Sequence, residues 1–168
     1  MASLDVTVLV DRANAPRGLG GDQIALERNG AIVFAKGARW IDPTPALWQS
    51  AIIDALQDAG VSTARPRDGV SAAYEISADI QRFEADYAAG EDAAPTARVA
   101  VKVSLLDATS RNLIAAQRFS ADARASANRM GSIVDAMNQA SGQSLQAMRA
   151  WALDAIAQAE SSRAEASR

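Results

Sequence analysis

"ARVAVKVSLLDATSRNLIAAQRFSAD", residues 97–122, decides the fold. Val99, Val101, Val103 and Leu105 recur at every second position, the period of a strand with one buried face. "ATSRN" breaks the run with turn residues, and "LIAAQRFSAD" returns along it. Upstream, "YEISADIQRF" alternates Tyr74, Ile76, Ala78 and Ile80 with Glu75, Ser77, Asp79 and Gln81. Three such runs in succession predict an antiparallel meander. The intervening "EADYAAGEDAAPT" is polar and Ala-rich and reads as a flexible loop, with Tyr87 as an ordinary exposed aromatic.

The N-terminal half adds to this sheet. "LDVTVLVD" alternates Val6, Val8 and Val10 with polar residues and predicts a strand. After the Pro/Gly-rich "NAPRGLGGD", residues 23–28 and 31–35 flank Asn29-Gly30, a hairpin signal because both turn positions tolerate positive φ. "GARWIDPTPALWQS" at 37–50 then starts a helix. Thr44 is the expected N-cap, Pro45 sits at N1, and Pro43 faces Trp48 in a staple. The helix should span 45–59 and end at Gly60, with Val61 folding back on Leu56. "PRDG" is a turn. Helical spacing of Met130, Ile133, Val134, Met137, Leu145, Met148 and Ala152 predicts a second helix over 129–157, interrupted by Gly142.

The order β-β-β-α-β-β-β-α defines an α+β fold: a mainly antiparallel sheet with two helices packed on one face. The expected organisation is a single domain over 1–157 and a flexible tail over 158–168, where "QAESSRAEASR" has little to bury.

Composition excludes much chemistry. The 168 residues contain no cysteine and no histidine, which removes disulfides, Cys/His metal sites and His-based triads. A net charge of −3 gives no electrostatic basis for nucleic-acid binding. No run approaches the roughly 18 apolar residues of a spanning helix. "MASLDVTVLV" lacks the basic region and cleavage site of a signal peptide. Composition leaves open a cytosolic chain or an exported one shown without its signal.

No catalytic, cofactor-binding or metal-binding constellation emerges. "GLGG" at 18–21 lacks the Lys-Ser/Thr of a phosphate loop and reads as a loop. Asp5, Asp11, Asp22, Asp42, Glu75 and Asp79 read as solvated acids rather than an acid–base pair. Met130, Met137 and Met148 are expected to fill gaps between helix and sheet, with an apolar groove as the alternative. Arg39, Trp40 and Asp42 form the most specific cluster. Trp40 is expected to plug the end of the core, where truncation to alanine costs about 3–5 kcal/mol, while Arg39 and Asp42 organise the turn.

The combination of "GGDQIALERNGAIVFAKG", "ARWIDPTPALWQSAIIDALQDAG", "YEISADIQRFEAD", the meander and "SIVDAMNQASGQSLQAMRAW" resembles the ABC-type transport auxiliary lipoprotein family, from about Val6 to Trp151. Its most specific part is similar to that family's RW-x-(D/E)-P-x-P signature: Arg39, Trp40, Asp42, Pro43 and Pro45.

The resemblance implies a non-enzymatic periplasmic domain, tethered to the outer membrane by a lipid on an N-terminal cysteine. The implied partner is an MCE-family protein forming a hydrophobic conduit from an inner-membrane ABC transporter. This sequence has no lipobox cysteine, so the expectation is a soluble form beginning after the anchor, with Met1-Ala2-Ser3 as a start tag. Two roles fit: docking the conduit, or holding phospholipid or another apolar lipid in a groove. Docking is the expected one, since no surplus of large apolar residues remains once the helices cover the sheet. A homo-oligomer is compatible by symmetry matching, although no long apolar edge demands it. The alternative is an outer-membrane lipoprotein that scaffolds or regulates a cell-wall synthase.

Overall fold

A computed structural model describes residues 4–168. Met1, Ala2 and Ser3, the expected start tag and the first residues of the expected domain, lie outside the described residues. Strands β1 (Thr7–Val10), β2 (Gln23–Arg28) and β3 (Ala31–Arg39) precede helix α1 (Thr44–Gln57). Strands β4 (Ser62–Ala64), β5 (Tyr74–Asp86), β6 (Thr96–Asp107) and β7 (Leu113–Arg124) follow, then helix α2 (Met130–Ala166). The expected α+β order holds, with the short β4 added after α1.

β5, β6 and β7 form the predicted antiparallel meander. The other edge of β5 is shared. β1 pairs parallel with Tyr74–Ile76, and β2 pairs parallel with Glu84–Asp86. β4 extends the sheet beyond β1, also in parallel, because α1 provides the crossover that parallel pairing needs. The sheet is therefore mixed, and these parallel pairs join segments far apart in sequence.

A bulge between Ile80 and Arg82 resets which face of β5 is buried. Before it, Tyr74, Ile76, Ala78 and Ile80 point to the core; after it, Phe83 and Ala85 do. Strict alternation would have turned Arg82 and Glu84 inward. Instead Arg82 pairs on the outer face with Glu27 at 2.8 Å and Glu84 at 2.6 Å, and Glu84 also accepts the Phe83 backbone N–H.

Both ends of α1 show local logic. Gly60 adopts φ +82°; its N–H donates to Gln57 and that of Val61 to Leu56, the predicted Schellman closure. At the start, the structure corrects the expected cap. Pro43 is the N-cap residue and Thr44 already belongs to the helix. The Thr44 hydroxyl is drawn into the core, where it donates to the Leu19 carbonyl instead of accepting a helix N–H.

α2 buries Ile133, Ala136, Met137, Ala140, Ser144, Met148, Ala152 and Ile156. Small residues at every fourth position bring the helix close to the sheet, and Trp151 packs edge-on against Phe119 at 5.5 Å. The segment expected as a tail, 158–168, is helical as far as Ala166, because Glu160 accepts from the Tyr74 hydroxyl and Arg163 reaches Asp107 while lying 4.6 Å over the Tyr74 ring.

Two surface expectations also change. Tyr87 is buried: its hydroxyl donates to Asn128 at 2.8 Å and Arg28 sits over its ring at 4.7 Å. β3 has no strand on its outer side among the described residues and exposes Ile32, Val33 and Phe34, so the sheet does carry an apolar edge.

Candidate functional site

The signature segment connects β3 to α1 and is stitched to the loop before β2. Arg39 pairs with Asp22 at 3.0 Å, the Trp40 backbone N–H donates to the Asp22 carbonyl at 2.7 Å, and the Thr44 backbone N–H donates to the Gly21 carbonyl at 3.1 Å. Arg39 thus organises the turn through Asp22. Asp42 is exposed and makes no side-chain hydrogen bond among the described residues. Pro43, at φ −54° and ψ 141°, aims the chain into α1, and Pro45 occupies the first helical turn without a lost hydrogen bond.

This stitching places aromatic rings around Phe83. Trp48 is only 3% exposed and meets Phe83 edge-on at 5.9 Å. Trp40 lies against the same ring at 5.3 Å, tilted by 33°. Trp40 is partly buried: it packs against the core as expected and is also a wall. One side of it packs on the core and the other faces a crease between α1 and α2.

The crease has a volume of about 490 Å³, within the range of about 300–1,000 Å³ usual for small-ligand sites. Trp40, Ile41, Leu47, Trp48 and Ala51 line one side. Phe83 lies between, and Val134, Asn138, Ser141, Gly142 and Leu145 of α2 complete the lining. Ile41, 91% exposed, stands at the lip. An isolated exposed isoleucine is ordinary, but one bordering an apolar crease extends its surface. Gly142 borders the crease at an open position, for a Cβ there would meet nothing within 4 Å.

The methionines do not build this crease. Met137 and Met148 are fully buried between α2 and the sheet, as gap fillers. Met130 is half-buried near Tyr87 and Ile133, at the other end of the molecule's helical face. Sequence spacing places all three on one helix, but that face meets the sheet rather than α1. Ile41, Leu47, Ala51, Phe83, Asn138, Ser141 and the role of Gly142 are what sequence reasoning missed in this lining. Gly142 carried the only signal, as a glycine within an otherwise helical pattern.

One pair of acids does converge, on the outer face of the sheet. Glu75, only 5% exposed, pairs with Arg111 and shares a hydrogen bond with Asp11. Burial and the Glu75 neighbour push the Asp11 carboxyl from 3.8 up to about 6, against the pull of Arg111. Burial opposes ionisation of Glu75, yet hydrogen bonds from Asp11 and Arg111 outweigh it and hold that carboxyl below its ordinary value. A raised folded-state value means that Asp11 stabilises the fold while protonated, and that this contribution is lost as pH rises through about 6. Glu75 acts oppositely, losing its contribution as pH falls. Asp11→Asn should therefore be more stable than wild type at pH 8, by less than about 1 kcal/mol after solvent screening. The difference should vanish near pH 4; urea titrations at both pH values measure it. Among the described residues, no three Asp or Glu side chains gather as a metal site.

A mixed sheet covered on one face by two helices, with an apolar crease between them, defines an α+β domain. The chain belongs to the ABC-type transport auxiliary lipoprotein component family, whose profile matches residues 2–148. The match includes the whole signature and α1 and stops within α2. Among solved structures, the chain is similar to protein XCC0632 from Xanthomonas campestris: 23% identity, 95% of this chain and 90% of that one, TM-score 0.87. It is also similar to protein CT253 from Chlamydia trachomatis, with 13% identity over 87% of this chain and 94% of that one and a TM-score of 0.55. These likenesses establish the fold. No curated protein matches the chain. Among the described residues, no helix is long and apolar enough to cross a membrane.

Proposed function

We propose that the protein is a non-catalytic auxiliary subunit of an MCE-type lipid transport system, working in the periplasm at the outer membrane. In this reading it holds an apolar part of the transported lipid in the crease between α1 and α2. The observation that carries the reading is that Trp40, set in place by the turn at Arg39, walls the crease. Arg39 and Asp22 fix the turn, the turn sets Trp40 against Phe83, and Trp40 becomes the wall of an apolar hollow. This favours lipid handling over docking alone, because the sequence-based objection to a groove disappears. Enough apolar surface remains once the helices cover the sheet.

Contact with the conduit then falls to another surface. The free edge of β3, with Ile32, Val33 and Phe34 exposed, offers unpaired backbone groups and apolar side chains to a protein partner. Affinity purification of the anchored protein from envelopes tests the assignment. Recovery of an MCE protein with its ABC ATPase and permease is expected. Recovery of a peptidoglycan synthase in their place would favour the scaffold role and end this reading.

A further inference from the structure

We infer that the crease selects a zwitterionic phospholipid, taking one acyl chain against Trp40 and Phe83 and seating the head group between Asp54, Asp58 and Arg149. This rests on the lipid-handling reading above and extends it to the class of lipid.

The crease changes character along its length. Beyond Ala51, Gly142 and Leu145, which border both parts, it opens into a second hollow of about 430 Å³. That hollow is lined by Asp54 and Asp58 of α1 and by Gln146 and Arg149 of α2. Among the described residues, none of these three charged side chains forms a salt bridge. Charges of both signs therefore face one space without neutralising each other, directly beside an apolar hollow.

Ligand classes differ in how they meet this polarity. An apolar helix of a partner would fill the inner hollow but cover the carboxylates and the guanidinium with hydrocarbon, at a desolvation cost. An anionic lipid could reach Arg149 but would meet two carboxylates. A head group with a phosphate and an ammonium satisfies both ends: guanidinium is suited to phosphate, and the two carboxylates to a primary amine. The apolar chain attached to it continues past Gly142 toward Phe83.

Tryptophan fluorescence tests this, because Trp40 and Trp48 line the inner hollow while Trp151 packs on Phe119. Monomeric brominated-chain lysophosphatidylethanolamine should quench the full chain saturably, at about tenfold lower concentration than brominated lysophosphatidylglycerol. In Asp54→Asn/Asp58→Asn, a pair of exposed positions where the fold tolerates change, that preference should shrink to about threefold or less. Equal quenching by both lipids in the wild type would overturn the head-group assignment while leaving lipid handling intact. No quenching by either lipid in a chain with an intact helical circular dichroism spectrum would overturn both.

Discussion

Replacing Trp48 with alanine is expected to lower the unfolding free energy by about 3–5 kcal/mol, the usual loss for a buried aromatic in a packed core. Trp48 sits where the first turns of α1 meet β5, and its ring closes edge-on over Phe83. A domain of this size has only about 5–15 kcal/mol of stability in total, so the variant should lose a large share of it. Trp40→Ala should behave differently. Its half-buried ring has one side in the crease, and the expected cost is about 1–2 kcal/mol. Urea unfolding of both variants at unchanged m-value separates the roles. Equal losses would mean that Trp40 is core after all and that the signature builds no wall.

Gly142→Leu should separate stability from binding. Leucine is a better helix former than glycine by about 0.5–1 kcal/mol, and nothing within 4 Å opposes a Cβ at this position. Stability should therefore hold or rise. The new side chain is expected to occupy part of the crease that Gly142, Leu145 and Ala51 border, where the acyl chain would run. Quenching by brominated-chain lipid should weaken by about tenfold or more, equivalent to about 1.4 kcal/mol of binding free energy. A variant that is more stable and binds less cannot be explained by misfolding. Unchanged quenching would place the lipid elsewhere.

Much of this architecture is legible in the residues themselves. Asn29-Gly30 announces the β2–β3 turn, and both residues adopt positive φ, at 51° and 77°. Gly60 and Val61 announce the end of α1, and period-two valines announce β6. These signals are local, so a short window contains their physics. The bulge after Ile80 is different. It reverses which residues of β5 face inward, and what supports it is the Arg82–Glu84–Glu27 cluster, whose members come from two strands. Parallel pairing of β1 and β2 with β5 depends on crossovers between distant segments. Tyr87 looked like a loop residue because Asn128, its partner, lies 41 residues away.

The site was legible only as a signature. "ARWIDPTP" announces the start of α1, but the helix begins at Thr44 and its hydroxyl serves the core. The crease needs the relative placement of two helices that are far apart in sequence. Ala51 and Gly142 matter there by being small, and a small residue carries little signal in a sequence rich in alanine. The methionines carried more signal, and two of them, Met137 and Met148, are core packing.

Native mass spectrometry of the full chain after incubation with phosphatidylethanolamine tests the central claim most directly, with Gly142→Leu measured alongside. The crease predicts one lipid per wild-type chain and an unloaded variant. A wild-type chain that stays unloaded, or equal loading of the two proteins, would contradict it.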